Sequence, residues 1–215
     1  MKTVATMALC ITCNKKLRDE IAGSMGANLL ILLSAFIALA IIVIILSTLA
    51  SRRYTFLMEN YPRTASLNPV PLFTATLVLG MGIGGFIDGI IMHQVLQWHG
   101  MFSNIVPPDT VSSKSINMFW DGIFHLFTLT MVVIGILLLK NIIRKTVDGS
   151  SRVLTGGLLA GWGIFNLVEG IINHHILKIH NVREVPDPDP WNFGFLAIST
   201  VMVVAGFIIS KHQTK

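Results

Sequence analysis

Charged residues are scarce in this sequence, and their scarcity excludes an ordinary soluble domain. Asp, Glu, Lys and Arg together make up 13% of the chain, whereas soluble proteins carry about 25%. Hydrophobic residues make up 53% and the mean hydropathy is +0.69. This composition predicts an integral membrane protein. Lysine and arginine cluster at the ends of apolar runs, so the net charge of +5 indicates membrane topology rather than a nucleic-acid partner.

Cysteine is also scarce, which excludes a framework of disulfide bonds. The two cysteines, Cys10 and Cys13, form one C-x-x-C pair. A redox pair, half of a metal site and no function at all are three open interpretations, and we keep the pair as a candidate second metal site. No Ser-His-Asp or phosphate-loop pattern stands out.

Five apolar runs are long enough to cross a bilayer, which takes roughly 20 residues. They are Gly26 to Leu49, Leu72 to Gln97, Ile116 to Leu139, Val153 to Leu177 and Trp191 to Ser210. We therefore predict an all-α membrane protein with five transmembrane helices. Residues 1–25 form an N-terminal segment, 26–50 an anchor helix, 70–145 a first helical hairpin and 152–210 a second.

A twelve-residue phrase occurs twice and contains five of the seven histidines. Asp88 to His99 reads D-G-I-I-M-H-Q-V-L-Q-W-H, and Glu169 to His180 reads E-G-I-I-N-H-H-I-L-K-I-H. Closely spaced glycines precede both copies and favour close helix packing. The repeat predicts a four-helix bundle made of two parallel-repeated hairpins, related by an axis along the membrane normal.

The lysine and arginine pattern predicts which side the repeated phrases face. Most of these residues lie at the ends of the apolar runs opposite the phrases, so we expect that side to be cytoplasmic. Both phrases then lie near the outer leaflet. Asp121 and His125 lie one helical turn apart near the start of the third run and reach the same depth.

Helix geometry limits how one copy can form a site. On a straight α-helix, Asp88 and His99 share a side but lie roughly 16 Å apart, while His93 points away from both. Either the helix bends near Gly89, or there are two layers. The deeper layer would hold the other candidates, and His99 and His180 would lie at the rim.

Ionisable groups inside a membrane are costly and usually functional. Imidazole and carboxylate together bind zinc, iron or copper. The alternatives are carboxylates that only orient a ligand, or a hydrogen-bonded polar network. The candidate metal ligands are His93, His174, Asp88, Glu169, Asp121, His125, His99 and His180.

Three strings carry a family resemblance: G-G-F-I-D-G-I-I-M-H-Q-V-L-Q-W-H, W-D-G-I-F-H and G-I-F-N-L-V-E-G-I-I-N-H-H-I-L-K-I-H-N-V-R-E. They resemble a bacterial family of predicted four-helix membrane proteins of unknown function, over about Leu72 to Ser210. The resemblance implies a multi-pass protein of the bacterial inner (plasma) membrane and carries no established activity. The first apolar run lies outside it.

Two classes of function remain open from the residues. A metalloenzyme would act on a lipid or another membrane-accessible substrate. A metal-handling protein would hold or transfer a metal, such as copper for a respiratory oxidase. A b-type haem protein with His93 and His174 as axial ligands, or an accessory subunit of a respiratory membrane complex, is the alternative. The neighbouring acids argue against haem.

Overall fold

The computed structural model describes residues 15–25, 34–60, 69–143 and 150–211, and these residues fold into helices joined by turns and loops. The pair Cys10 and Cys13 lies outside the described residues. The helices are α1 (Lys15–Met25), α2 (Ser34–Asn60), α3 (Val70–Asp88), α4 (Val111–Ile143), α5 (Ser151–Glu169) and α6 (Asp189–Ser210). Two π-helical segments continue α3 and α5: π1 (Gly89–Val95) and π2 (Gly170–Ile176).

Helices α3 and α5 pack against each other at the centre of the bundle, and glycine permits their close approach. A Cβ atom at Gly80 would collide with the carbonyl oxygen of Leu158, and one at Gly161 would collide with the carbonyl oxygen of Leu77. The two glycines are equivalent in the repeat, so each copy supplies one small residue to one contact. Backbones this close gain van der Waals contact where lipid offers no hydrophobic driving force.

Helices α4 and α6 flank this central pair and carry large apolar side chains on their outer faces. Met118 and Leu126 on α4 are 70% and 60% exposed, and Ile198 and Val201 on α6 are 65% and 66% exposed. Exposed apolar faces on helices of this length suit contact with lipid. The bundle therefore presents its polar residues to the interior and its apolar residues to the membrane.

Four helices are long and apolar enough to cross a membrane among the described residues: Val70–Val95, Val111–Asn141, Ser151–Ile176 and Asp189–Ser210. Four of the five predicted apolar runs are thus confirmed as such helices. The remaining run, 26–49, lies partly outside the described residues, and its described part belongs to α2. Leu39 and Val43 of α2 are buried in the core of the bundle.

The π-helical segments end in sharp turns at equivalent positions. The Leu96 N–H donates to the Ile91 carbonyl at 2.8 Å, and the Leu177 N–H donates to the Ile172 carbonyl at 2.7 Å. The next residue in each copy has left-handed backbone, with φ of 50° at Gln97 and 51° at Lys178. These turns reverse the chain, so the last histidine of each phrase returns toward the helix end instead of continuing outward.

Candidate metal centre

Two groups of ligand-type side chains lie at one end of the bundle, where α3 and α5 end in π1 and π2. Group one is Asp88, His93 and His99, and group two is Glu169, His174 and His180. Within each group, one ligand atom from each residue lies within 4.8 Å of the others, and all six residues are buried. Each group therefore contains one carboxylate and two imidazoles at metal-ligand spacing.

The π-helical geometry explains why group one is compact. In a π-helix the hydrogen bonds join residues five apart, so the five-residue spacing from acid to histidine lies across one turn. The Nε2 atom of His93 lies 3.3 Å from Oδ2 of Asp88. The bend near Gly89 that the sequence offered as one alternative is thus realised as a change of helix type.

Both terminal histidines of the phrases are buried rather than at the rim. His99 is 5% exposed and His180 is 0% exposed, which overturns the rim position expected from straight α-helices. The turns at Gln97 and Lys178 bring these histidines back toward the helix ends, where they are covered. In group two, His180 Nε2 lies 3.4 Å from Oε1 of Glu169.

The two groups adjoin each other through their imidazole rings. His99 and His180 stack with centroids 4.7 Å apart and planes 5° apart. His99 also contacts His93 at 4.4 Å, and His180 contacts His174 at 4.9 Å. Cross-contacts run from His93 to His180 at 5.9 Å and from His99 to His174 at 6.2 Å. The six side chains form one continuous cluster with two ligand groups.

Each terminal histidine is anchored by the loop that follows the other copy. His99 Nδ1 donates to the carbonyl of Val182 at 2.8 Å, and His180 Nδ1 donates to the carbonyl of Met101 at 3.1 Å. These two carbonyls occupy equivalent positions, two residues after the histidine of the opposite copy. A donated Nδ1 proton fixes the tautomer that leaves the Nε2 lone pair free for a metal.

One side chain from α4 and one from the start of α6 hold these loops in place. Asp121 Oδ1 accepts the Met101 N–H at 2.9 Å, and Asn192 Oδ1 accepts the Val182 N–H at 3.0 Å. The same Oδ1 of Asp121 accepts the Nδ1 proton of His93 at 2.7 Å. Asn192 instead donates through its amide to Asn181 at 2.9 Å. The two halves of the cluster therefore differ, because only His93 has a carboxylate on its second nitrogen.

Every residue of the two groups has a buried nitrogen or oxygen without a hydrogen-bond partner. The atoms are Asp88 Oδ2, His93 Nε2, His99 Nε2, both carboxylate oxygens of Glu169, both ring nitrogens of His174, and His180 Nε2. Leaving a buried polar group unsatisfied costs about 1–3 kcal/mol. Asp88 pairs electrostatically with His93, and Glu169 Oε1 with His180, at 3.3 and 3.4 Å. The atoms left without either kind of partner are His99 Nε2, Glu169 Oε2 and the two nitrogens of His174, and they cost on the order of 5 kcal/mol, a large part of the stability of a typical domain.

Burial also sets the protonation state of His99, the ligand of group one that lies beyond the membrane-spanning helix. Desolvation, followed by the neighbouring imidazoles of His93, His180 and His174, holds the pKa of His99 well below its ordinary value of 6.5. His99 is therefore neutral at physiological pH. A neutral imidazole is the form that binds metals.

Two predicted ligands lie outside the groups. Asp121 contacts His93 Nδ1 but belongs to neither group, so it is placed to orient a ligand. His125 donates from Nδ1 to the backbone carbonyl of Asp121 at 2.8 Å and packs edge-on to Phe86. His175 donates to the Gly170 carbonyl at 2.8 Å, as expected for a neighbour of the site.

Sequence reasoning missed the residues that position the terminal histidines. Met101 and Val182 act through backbone carbonyls, so their side-chain identity carries no signal. Asn192 is recognisable only as the counterpart of Asp121 in the repeat.

A cavity of about 530 Å³ leads from the surface to group one. His93, His99 and Asp121 line it, and none of the three residues of group two does. Group one therefore borders the cavity through His93 and His99, and group two does not.

Comparison with known proteins gives a family. A family model described as "Predicted membrane protein (DUF2243)" matches residues 75–213, roughly two thirds of the chain. The matched segment contains both phrases and helices α4, α5 and α6. Searches of curated proteins and of solved structures find no match.

Proposed function

The chain belongs to this family of predicted membrane proteins, and on that premise we propose that it is a membrane metalloenzyme with a two-metal centre. Group one would bind one ion and group two the other. The observation that carries the proposal is the pair of buried acid-His-His groups with mutually close, unpaired ligand atoms. One ion in each group would satisfy all six side chains at once.

The ligand set narrows the metal. Two histidines and one carboxylate with open coordination positions suit non-haem iron(II), and the same set binds catalytic zinc. Copper favours soft sulfur ligands in its reduced state, and the described cluster contains none. We therefore infer iron or zinc. Such an ion supplies a Lewis acid or an activated water to a bound substrate.

A purely structural polar network explains the cluster less well. Acids and imidazoles that only stabilise a membrane bundle pair with one another to avoid unsatisfied burial. Here Oε2 of Glu169 and both nitrogens of His174 have no such partner, and Oε1 of Glu169 lies 3.4 Å from His180 Nε2 without a hydrogen bond. Their desolvation cost favours a ligand over a network.

A haem is disfavoured by the packing of the rings. An axial pair of His93 and His174 would need an open gap for the porphyrin between them. His99 and His180 each contact both of these residues, so imidazoles occupy that space. Both nitrogens of His93 also face carboxylates, at 2.7 and 3.3 Å.

An enzyme is favoured over a carrier by burial and by access. Three protein ligands for each ion leave positions for water or substrate, which is typical of catalytic sites. A carrier must release its ion, whereas the ligands here lie inside the bundle and are fixed by cross-anchored loops. The cavity at group one gives a substrate access without release of the ion.

Metal analysis of the purified protein tests the proposal. We expect about two equivalents of iron or zinc per chain by mass spectrometry. His99→Ala and His180→Ala should each retain about one equivalent, because each removes one ligand from one group. His175→Ala is the matched control, since His175 is a neighbouring histidine outside both groups, and it should retain two.

The variants must be shown to be folded by circular dichroism and size-exclusion chromatography. Metal-free wild-type protein after growth and refolding with iron and zinc would refute the two-metal centre. Equal metal content in folded His99→Ala, His180→Ala and wild-type protein would refute the ligand assignment. A Soret band in the visible spectrum would replace the proposal with haem.

We further infer that the two helical hairpins are a duplicated unit and that the cluster faces the outer side of a bacterial plasma membrane. The equivalent turns, glycine contacts and loop anchors support the duplication. Positive charge at the opposite helix ends supports the orientation. The described residues at those ends are Lys140, Arg152 and Lys211.

A further inference from the structure

We propose that the cavity beside group one binds a ligand with an oxyanion head, such as a carboxylate or phosphate, which coordinates the ion of that group. This inference rests on the proposed two-metal function and adds the chemical class of the substrate. It also distinguishes the groups: group one would react with substrate and group two would remain closed.

Two histidines of group one border the inner end of the cavity. His93 and His99 line it, and the Nε2 atom of each is buried without a hydrogen-bond partner. A metal ion bound by these atoms would present its open coordination position to the cavity. Positive charge would then lie at the inner end, where it attracts an anionic head.

One face of α4 forms a wall that leads to this inner end. Lys114, Asn117, Met118 and Asp121 all line the cavity and recur at helical spacing. Lys114 lies two turns from Asp121, or roughly 10 Å along the helix axis. The wall thus runs from an ammonium group near the start of α4 to the inner end.

Residues from the end of π1 and the turn after it add hydrogen-bond donors and an aromatic surface to the lining. They are Gln94, Gln97 and Trp98. A volume of about 530 Å³ is within the range that holds a small organic molecule. The cavity is therefore large enough for a head group together with part of an apolar tail.

The two carboxylates in the lining are already engaged. Asp121 accepts hydrogen bonds from His93 and from the Met101 N–H through one oxygen. Glu184 accepts from the Ser103 hydroxyl at 2.6 Å and from the Asn181 amide groups at 3.0 Å. Their hydrogen bonds are made to the protein, so the positive charge that an anionic head would meet is that of Lys114 together with the ion bound by group one.

Cobalt(II) substitution gives a direct assay, because ligand binding to cobalt changes its visible absorption. The full-length protein in detergent is loaded with cobalt, and its metal content is measured. Benzohydroxamate, an oxyanion chelator with an apolar ring, is then titrated. We expect saturable changes in the bands of about one of two cobalt ions per chain.

Variants at two positions locate the binding site without touching a group residue. Met118→Trp should fill the cavity and abolish the spectral change. Lys114→Met should raise the dissociation constant roughly tenfold by removing the attracting charge, and Lys114→Arg should restore it. The matched control is Leu126→Trp on the same helix, which is similarly exposed and does not line the cavity. It should behave like wild type.

Two lipid environments distinguish a lipid head group from a water-soluble oxyanion as the ligand. Protein in nanodiscs of phosphatidylcholine is compared with protein in nanodiscs that also contain phosphatidylglycerol. A cobalt spectrum changed by phosphatidylglycerol, and not in Met118→Trp, would identify a lipid head group. A response to the soluble hydroxamate alone would identify a water-soluble oxyanion.

The failures of the two proposals are distinguishable. If wild-type protein binds no cobalt, the two-metal centre itself is refuted. If it binds two equivalents and its bands respond neither to benzohydroxamate nor to phosphatidylglycerol, the cavity proposal alone is overturned. An equal response in wild type and Met118→Trp would also overturn it.

Discussion

Replacing Asp121 should weaken one of the two metal sites selectively. Its Oδ1 atom accepts both the His93 Nδ1 proton at 2.7 Å and the Met101 N–H at 2.9 Å. An asparagine oxygen can accept the same two hydrogen bonds, so Asp121→Asn removes the negative charge and preserves the geometry. Asp121→Ala removes both the charge and the bonds.

The size of the effect follows from the role of such carboxylates. Loss of a group that orients a histidine ligand lowers metal affinity by about 10- to 100-fold. We assign about tenfold, or 1.4 kcal/mol, to the charge lost in Asp121→Asn. Asp121→Ala should reach about 100-fold, or 2.7 kcal/mol, because His93 also loses its fixed orientation. In Asp121→Asn, which keeps both hydrogen bonds, only the ion of group one should respond. Asp121→Ala also frees the Met101 segment that anchors His180, so it should weaken the ion of group two as well, by a smaller factor.

Competition with a metal chelator measures both affinities in one experiment. As the chelator concentration rises, wild-type protein should release each of its two ions at a concentration determined by the affinity of that site. In Asp121→Asn, one ion should leave at about tenfold lower chelator activity while the other is unchanged. His175→Ala, which changes a histidine beside the cluster, should follow the wild-type curve. Unchanged release from folded Asp121→Asn and Asp121→Ala would refute the orienting role, and equal weakening of both ions would refute the division into two groups.

Three further predictions follow from backbone contacts and burial. Gly161→Leu should lower the thermal unfolding midpoint in detergent sharply, because the new side chain would collide with the backbone of Leu77. Gly122→Leu is the control and should be tolerated, because a Cβ atom there meets nothing within 4 Å. Gln97→Val should cost on the order of 1–2 kcal/mol in a denaturation assay, because a β-branched residue is strained at φ of 50°. The free energy of unfolding of the metal-free protein should fall by up to about 1.4 kcal/mol for each pH unit below pH 6.5, because His99 takes up a proton in the unfolded chain but stays neutral in the folded one. A denaturation series over pH measures this slope, and His99→Gln should remove the part that His99 contributes.

The membrane-spanning helices could be predicted from the sequence because bilayer thickness fixes their length. Four of the apolar runs form helices in the structure, and the glycines before each phrase lie where α3 and α5 are in close contact. The number and order of the membrane crossings also predicted that both phrases lie at the same end of the bundle. These features depend on local composition, which a sequence displays directly.

The compact ligand groups could not be predicted because they depend on a change of helix type. An α-helical reading placed His93 away from Asp88, whereas π1 brings their side chains within 3.3 Å. The burial of His99 and His180 depends on left-handed backbone at a glutamine and a lysine. Neither residue type favours that conformation, so the turns gave no glycine or asparagine signal.

The reciprocal anchoring makes the two groups one unit rather than two independent sites. His99 belongs to group one, yet the Val182 carbonyl that fixes its tautomer belongs to the loop after His180. The converse holds for His180 and Met101. A displacement of either loop therefore alters the ligand orientation of the group in the other copy as well as its own. Asp121 acts on both groups, because it holds His93 directly and holds the Met101 segment that anchors His180.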